Sequence, residues 1–157
     1  MARRTGRAGE ATPLTGHLGY WLRFVSNHVS HAFARKLERR GVTVAEWVVL
    51  RELFERDGVP PSDIAARTGL TRGAISKLTA RLAAKALAGE APGKGDRRFL
   101  VLRLTPAGRA LVPALAALAD ENDAEFFGHL GARERGAIVR AMQDIVRRRG
   151  LKTVPTE

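Results

Sequence analysis

SDIAARTGLTRGAISKLTARL, residues 62–82, decides the fold. Ser62 and Thr71 each stand where a helix N-cap is wanted, and Gly69 closes the first segment with the left-handed residue that helix ends favour. At about 100° per residue, Ile75, Leu78 and Leu82 gather on one face of the second segment. Arg72, Gly73, Ser76, Lys77, Ala80 and Ala84 lie around the other. Ala65, Gly69 and Ile75 supply the small contact, turn and core anchor of a helix-turn-helix. The outward face is small in the middle and basic at its edges. A helix that sinks into a DNA major groove needs that shape, with Ser76 and Arg72 reaching a base edge or phosphate and Lys77 and Arg81 flanking toward phosphates. The competing reading is a solvated helix with incidental small residues, which leaves the next segment unexplained.

That segment is GEAPGKGDRRFLVLRLTPAG, residues 89–108. Pro92, Gly93 and Gly95 exclude helix, while Phe99 to Leu104 is rich in strand formers. A hairpin with a first strand near Ala88 to Ala91 and a basic tip of Lys94, Arg97 and Arg98 follows. A helix-turn-helix followed at once by a basic hairpin is a winged helix, whose wing addresses the neighbouring backbone or minor groove. Asp96 orients a neighbouring arginine or caps the turn.

Helices flank this lobe. Apolar residues recur at helical spacing from Leu14 to Arg40, with Gly41 as the stop. In TVAEWVVLRELFERDG, residues 43–58, Thr43 and Glu46 have capping-box spacing, and the helix is expected to end near Gly58. Thr105 caps a helix with Pro106 in the favoured first position, and Pro113 falls near its first turns. ARERGAIVRAMQDIVRRR, residues 132–149, carries Ile138, Met142, Ile145 and Val146 on one side. The expected architecture is mainly α: a winged-helix lobe at 43–104 between flanking helices at 14–41 and 106–149. Residues 1–13 read as a flexible basic tail and 150–157 as a C-terminal tail.

Composition agrees. The chain has 157 residues, 45% hydrophobic and 27% charged, the length and balance of one globular domain. Lysine and arginine number 27 against 16 acidic residues, a net charge of +11 that favours a polyanionic partner, unless arginine content only reflects genome composition. Cysteine is absent, which removes disulfides, thiol nucleophiles and zinc-finger thiolates and fits the cytoplasm. No apolar run approaches the roughly 18 residues of a membrane span, and the N-terminus lacks a signal-peptide core.

The chain resembles the multiple-antibiotic-resistance-regulator (MarR) family of bacterial winged-helix transcription factors. The likeness runs from Leu18 to about Arg149 and rests on GVTVAEWVVLREL, DIAARTGLTRGAISKLTARLAAKAL and GDRRFLVLRLTPAGRAL. The Asp-Arg-Arg wing tip followed by Leu-Thr-Pro-x-Gly is the most specific part. Ala86 departs from the usual glycine at the end of the recognition helix, and Ala88 and Glu90 replace a branched apolar residue and an arginine. The resemblance implies a homodimer interlocked through its terminal helices, bound to double-stranded DNA at a pseudo-palindromic operator. It also implies repression relieved by a small molecule, often a phenolic or aromatic acid. Candidate DNA-binding residues are Ser62, Thr71, Arg72, Gly73, Ser76, Lys77, Arg81, Lys94, Arg97 and Arg98. For the effector, Arg23 would pair with a carboxylate, Trp21 or Trp47 would stack on a ring, and His17 and Asn27 would add hydrogen bonds; plain core roles for both tryptophans stay open.

Other chemistry finds little support. GEAPGK, residues 89–94, is one residue too short for a phosphate loop and is followed by Gly95 instead of Ser or Thr. No Ser, His and Asp constellation is visible, so no enzyme is expected and no cofactor is implied. His28 and His31 would form half a metal site, with His17 or His129 needed to complete it; structural hydrogen bonding is the plainer reading, and no metal is assigned. A non-specific architectural DNA-binding protein is the alternative to a sequence-specific regulator.

Overall fold

A computed structural model describes residues 11–95 and 98–152. A 3-10 turn (Leu14–Gly16) precedes α1 (Leu18–Glu38), α2 (Val44–Glu55), α3 (Pro61–Thr68), α4 (Arg72–Ala84), β1 (Ala88–Pro92), β2 (Leu100–Leu104), α5 (Pro106–Phe127) and α6 (Ala132–Arg149). The expected mainly α winged helix-turn-helix is present. Among the described residues, no helix is long and apolar enough to cross a membrane.

Three boundaries differ from the sequence expectation. The first helix starts at Leu18, because His17 is extended and the Trp21 indole donates 2.9 Å to the Thr15 carbonyl, folding the turn back onto α1. The second ends at Glu55, ahead of a turn in which Gly58 takes φ +79°. Ser62 does not cap α3: Pro60 is the N-cap and Pro61 the first helical residue. Proline's fixed φ and missing N–H suit that first position, so the helix begins two residues early and Ser62 falls inside it.

The lobe is built from local signals that agree. At α2, Thr43 Oγ1 accepts from the Glu46 N–H (3.2 Å) and the Glu46 carboxylate accepts from the Thr43 N–H (2.8 Å), the expected capping box. Gly69 ends α3 at φ +73°, and Thr71 Oγ1 accepts from the Ala74 N–H (3.1 Å) to start α4. Ile75, Leu78 and Leu82 turn inward against Leu50, Leu53 and Ile64. The two strands pair antiparallel from Ala88↔Leu104 to Pro92↔Leu100, and Val59 adds a bridge to Leu102.

The junction between α4, the hairpin and α5 explains two residues of the motif. Ala86 takes φ +54°, a left-handed conformation where a Cβ is penalised. Leu87 then accepts from the Thr105 N–H (3.0 Å), and Thr105 donates its hydroxyl to the Ala86 carbonyl (2.7 Å) while capping α5 through the Gly108 N–H (3.0 Å). A Cβ on Gly108 would lie 1.9 Å from the Leu87 oxygen. Glycine is therefore required in Leu-Thr-Pro-x-Gly because α5 starts in contact with the end of α4.

The outer helices are only partly covered. Leu37 of α1 and Val112 and Leu115 of α5 are buried in the lobe's core. Asn122 of α5 is buried and donates to the Val29 carbonyl of α1 (3.2 Å), and Lys36 pairs with Glu125 (2.8 Å). By contrast α6 buries no residue, and Arg135 pairs with Asp123 where it turns back on α5.

Candidate nucleic-acid interface

The recognition face forms as its sequence requires. With Ile75, Leu78 and Leu82 buried, α4 exposes Arg72, Gly73, Ser76, Lys77, Ala80, Arg81 and Ala84. A Cβ on Gly73 would meet nothing within 4 Å, so the surface there is open. α4 contains no acidic residue, and among the described residues Arg72, Lys77 and Arg81 make no ion pair. Neighbouring cations behave differently: Arg67 pairs with Glu52 (3.6 Å) and Arg51 with Glu55 (3.0 Å). Among the described residues, these two flanking cations are thus paired while those on α4 are not. Thr71 is engaged in capping, and Ser62 is exposed at the start of α3 with its hydroxyl 3.4 Å from the Asp63 carboxylate.

Glu46 holds the far end of this helix. It is fully buried, yet Lys85, just past α4, brings its Nζ within 2.8 and 2.7 Å of both carboxylate oxygens and 2.7 Å of the Gly41 carbonyl. Burial pushes the Glu46 pKa up, but the Lys85 hydrogen bonds, the Thr43 N–H and the Lys85 charge outweigh it and hold it below the ordinary 4.5. One carboxylate thus ties the start of α2 to the end of α4. The capping box was visible in sequence, whereas the partner 39 residues away was not.

The wing is anchored by groups that the sequence did not single out. Asp57 lies 3.4 Å from both Lys94 and Arg103, and the Arg103 guanidinium lies across Gly58, where a Cβ would meet it at 3.2 Å. Lys94 itself stays mostly exposed. Arg98 is at the hairpin tip; Arg97 and Asp96 lie outside the described residues.

The proposed effector residues are not gathered in one chain. His17, Trp21, Arg23 and Asn27 are exposed on the first half of α1 and its approach. Trp47 instead packs edge-to-face on Phe33, ring centroids 6.2 Å apart, as part of the lobe. At about 1.5 Å per residue, Phe33 sits roughly 18 Å along α1 from Trp21. His28 rests against the Phe24 ring, centroids 4.8 Å apart.

A helix-turn-helix with an unneutralised basic recognition helix and a hairpin wing defines a DNA-binding winged helix. Residues 40–98 match the model of the MarR family, and the fold, flanking helices included, is MarR-like. The HTH-type transcriptional repressor NicR of Pseudomonas putida is 26% identical over 133 residues, covering 85% of this chain and 84% of that one. BpsR of Bordetella bronchiseptica, whose DNA binding is regulated by 6-hydroxynicotinic acid, has a solved structure similar at a TM-score of 0.73 and 26% identity, covering 87% of this chain and 97% of that one. CouR from Rhodococcus jostii RHA1, solved bound to p-coumaroyl-CoA, is similar at a TM-score of 0.77 and 25% identity, covering 92% and 99%.

Proposed function

We propose that the chain is a sequence-specific transcriptional repressor that binds a pseudo-palindromic operator as a homodimer and leaves it when a small aromatic or phenolic acid binds. The observation that carries the reading is the exposed face of α4, where Arg72, Lys77 and Arg81 surround a low centre of Gly73, Ser76 and Ala80 and, among the described residues, make no ion pair. Ser76 and Arg72 read base edges, and Lys77 and Arg81 hold phosphates. Lys94, Arg97 and Arg98 place the wing on the flanking strand, and Ser62 and Thr71 approach the backbone at the two helix starts.

Dimerisation is supported by apolar surface that one chain leaves open. Leu18, Trp21, Leu22, Phe24 and Val25 of α1 are 41–69% exposed, and Ile138, Val139, Met142, Ile145 and Val146 of α6 are 42–46% exposed. Contiguous patches of this kind mark association surfaces. An effector site between two chains accounts for the separation of Trp21, Arg23 and Asn27 from Trp47. The ligands of BpsR and CouR both derive from aromatic acids, which supports the effector class.

The test is fluorescence anisotropy on the DNA upstream of the chain's own gene, with excess unrelated DNA and at two salt concentrations. Tight binding that survives the competitor, with two symmetric protected halves, is expected; 6-hydroxynicotinic acid and p-coumaroyl-CoA are then the first effectors to titrate. Binding removed equally by any DNA, both there and on duplexes selected from a random pool, would indicate a non-specific architectural protein.

A further inference from the structure

We infer that the cleft between the wing and the turn after α2 seats one sugar–phosphate unit of the DNA strand flanking the recognition helix, with Phe99 packed on the deoxyribose and Lys94 on the phosphate. This rests on the DNA-binding reading above and adds to it a contact with the sugar. Phe99 is 68% exposed, an aromatic ring presented to water from the wing. Its position is fixed, because its carbonyl accepts from the Gly93 N–H (2.8 Å) and closes the hairpin. Val101 and Arg103 follow on the same face of β2, since alternate strand residues share a side.

The cleft beside Phe99 has a volume of about 260 Å³, floored by Gly58, Pro60 and Val101 and rimmed by Lys94 and Asp57. It is therefore apolar on one side and charged on the other. A nucleotide's backbone has the same two halves, a carbon-rich sugar and an anionic phosphate. Asp57 does not spoil the match, because Lys94 and Arg103 both lie 3.4 Å from it and the trio keeps a net positive charge. The cleft is continuous with the recognition unit: Pro60 caps α3, the first helix of the helix-turn-helix. A strand leaving the groove occupied by α4 toward the wing passes this point. Contacts to phosphate and sugar fix a protein's register on the duplex without reading base edges.

Hydroxyl-radical footprinting reads sugars directly. It is run beside anisotropy over a salt series, with the duplex that the wild-type protein selects from a random pool. Phe99→Ala is expected to weaken binding about tenfold by losing buried apolar area. It should also remove protection at one sugar position per half-site while leaving the salt slope unchanged. Lys94→Ala should instead reduce the slope by about 0.9, one phosphate's worth of released counterion. Phe99→Leu, which keeps an apolar side chain, should retain most of the affinity and the sugar protection. Phe99 is exposed, so urea midpoints should match wild type. Phe99→Ala binding within twofold of wild type with an identical footprint would overturn the inference and leave the proposed function standing, as would a change in particle mass in place of the footprint change. A wild-type protein that selects no duplex at low salt would overturn both.

Discussion

Replacing Gly108 by alanine should be among the most destabilising single-methyl additions this chain can suffer. The new Cβ would lie 1.9 Å from the Leu87 carbonyl oxygen and 3.3 Å from a Leu104 methyl. Real Cβ contacts essentially never fall below 3.0 Å, so backbone must part by at least about 1.1 Å. The same movement stretches the Thr105 N–H bond to Leu87 and the Thr105 hydroxyl bond to Ala86. Overpacking of this type costs about 1–3 kcal/mol, and each weakened hydrogen bond adds about 0.5–1.5 kcal/mol. A total of roughly 2–6 kcal/mol is a large part of the 5–15 kcal/mol available to an ordinary domain. For a chain of this size it corresponds to a fall in Tm of roughly 4–24 °C. Urea unfolding followed by circular dichroism measures it, with wild type and variant at one protein concentration so that association does not bias the comparison. A loss below about 1 kcal/mol with an unchanged m-value would show that α5 does not start against Leu87 as described.

The neighbouring Ala86→Gly should act oppositely: relief of the left-handed alanine, partly offset by greater freedom of the unfolded chain, should stabilise by about 0.5–1 kcal/mol, read as a higher urea midpoint. Glu46→Gln should cost about 2–3 kcal/mol at pH 7, measured by the same unfolding curves, since it removes one partner of a buried pair. The sign with pH follows from the lowered pKa: the folded carboxylate contributes stability above the unfolded value near 4.5, and this is lost as pH falls through the folded pKa. The wild type should therefore lose its advantage over Glu46→Gln on acidification, and a pH-independent gap would contradict the pairing with Lys85. Lys77→Ala should weaken all duplexes similarly and reduce the salt slope by about 0.9, whereas Ser76→Ala should alter sequence preference in a competition assay and leave the slope intact.

The parts of the fold legible in sequence were those written in consecutive residues. Thr43 and Glu46, Gly69, Thr71, and Thr105 with Pro106 are local instructions, and each acts at the position its spacing indicates. Ser62 misled because two adjacent prolines offered a better start than a hydroxyl did. β1, with the sequence AGEAP, is strand because β2 and the end of α4 hold it there, not by its own propensity. The contacts that fix the site are of longer range. Lys85 reaches Glu46 across 39 positions and Arg103 reaches Asp57 across 46, and no periodicity encodes such pairs. Gly108 was flagged by a motif, but its reason, a carbonyl oxygen 21 residues earlier in the chain, exists only in three dimensions. The effector residues were grouped on the resemblance and their chemistry; in one chain His17, Trp21, Arg23 and Asn27 lie on the first half of α1 and its approach, whereas Trp47 packs on Phe33 in the lobe.

The same helices that carry the open apolar faces are keyed into the reading lobe, and this bears on how a ligand would act. α1 is exposed over its first half but ends with Leu37 fully buried beside α2, and α5 sinks Val112 and Leu115 into the same core. Further along α5, Asn122 donates to Val29, while among the described residues its own buried carbonyl oxygen has no hydrogen-bond partner. The α1–α5 contact thus combines a packed lobe end with the Asn122–Val29 hydrogen bond and the Lys36–Glu125 pair further along α5. In the proposed dimer, a small rotation of α1 against α5 would strain the Asn122–Val29 and Lys36–Glu125 contacts, and Leu37, Val112 and Leu115 would carry it to α2 and, through Glu46 and Lys85, to the end of α4. A ligand bound between chains needs only differential affinity for two such poses to change the separation of the recognition helices. Asn122→Leu, which removes the unpaired oxygen, should stabilise the chain or leave it neutral and reduce the ligand's effect on DNA affinity. An unchanged ligand response in anisotropy would place the hinge elsewhere.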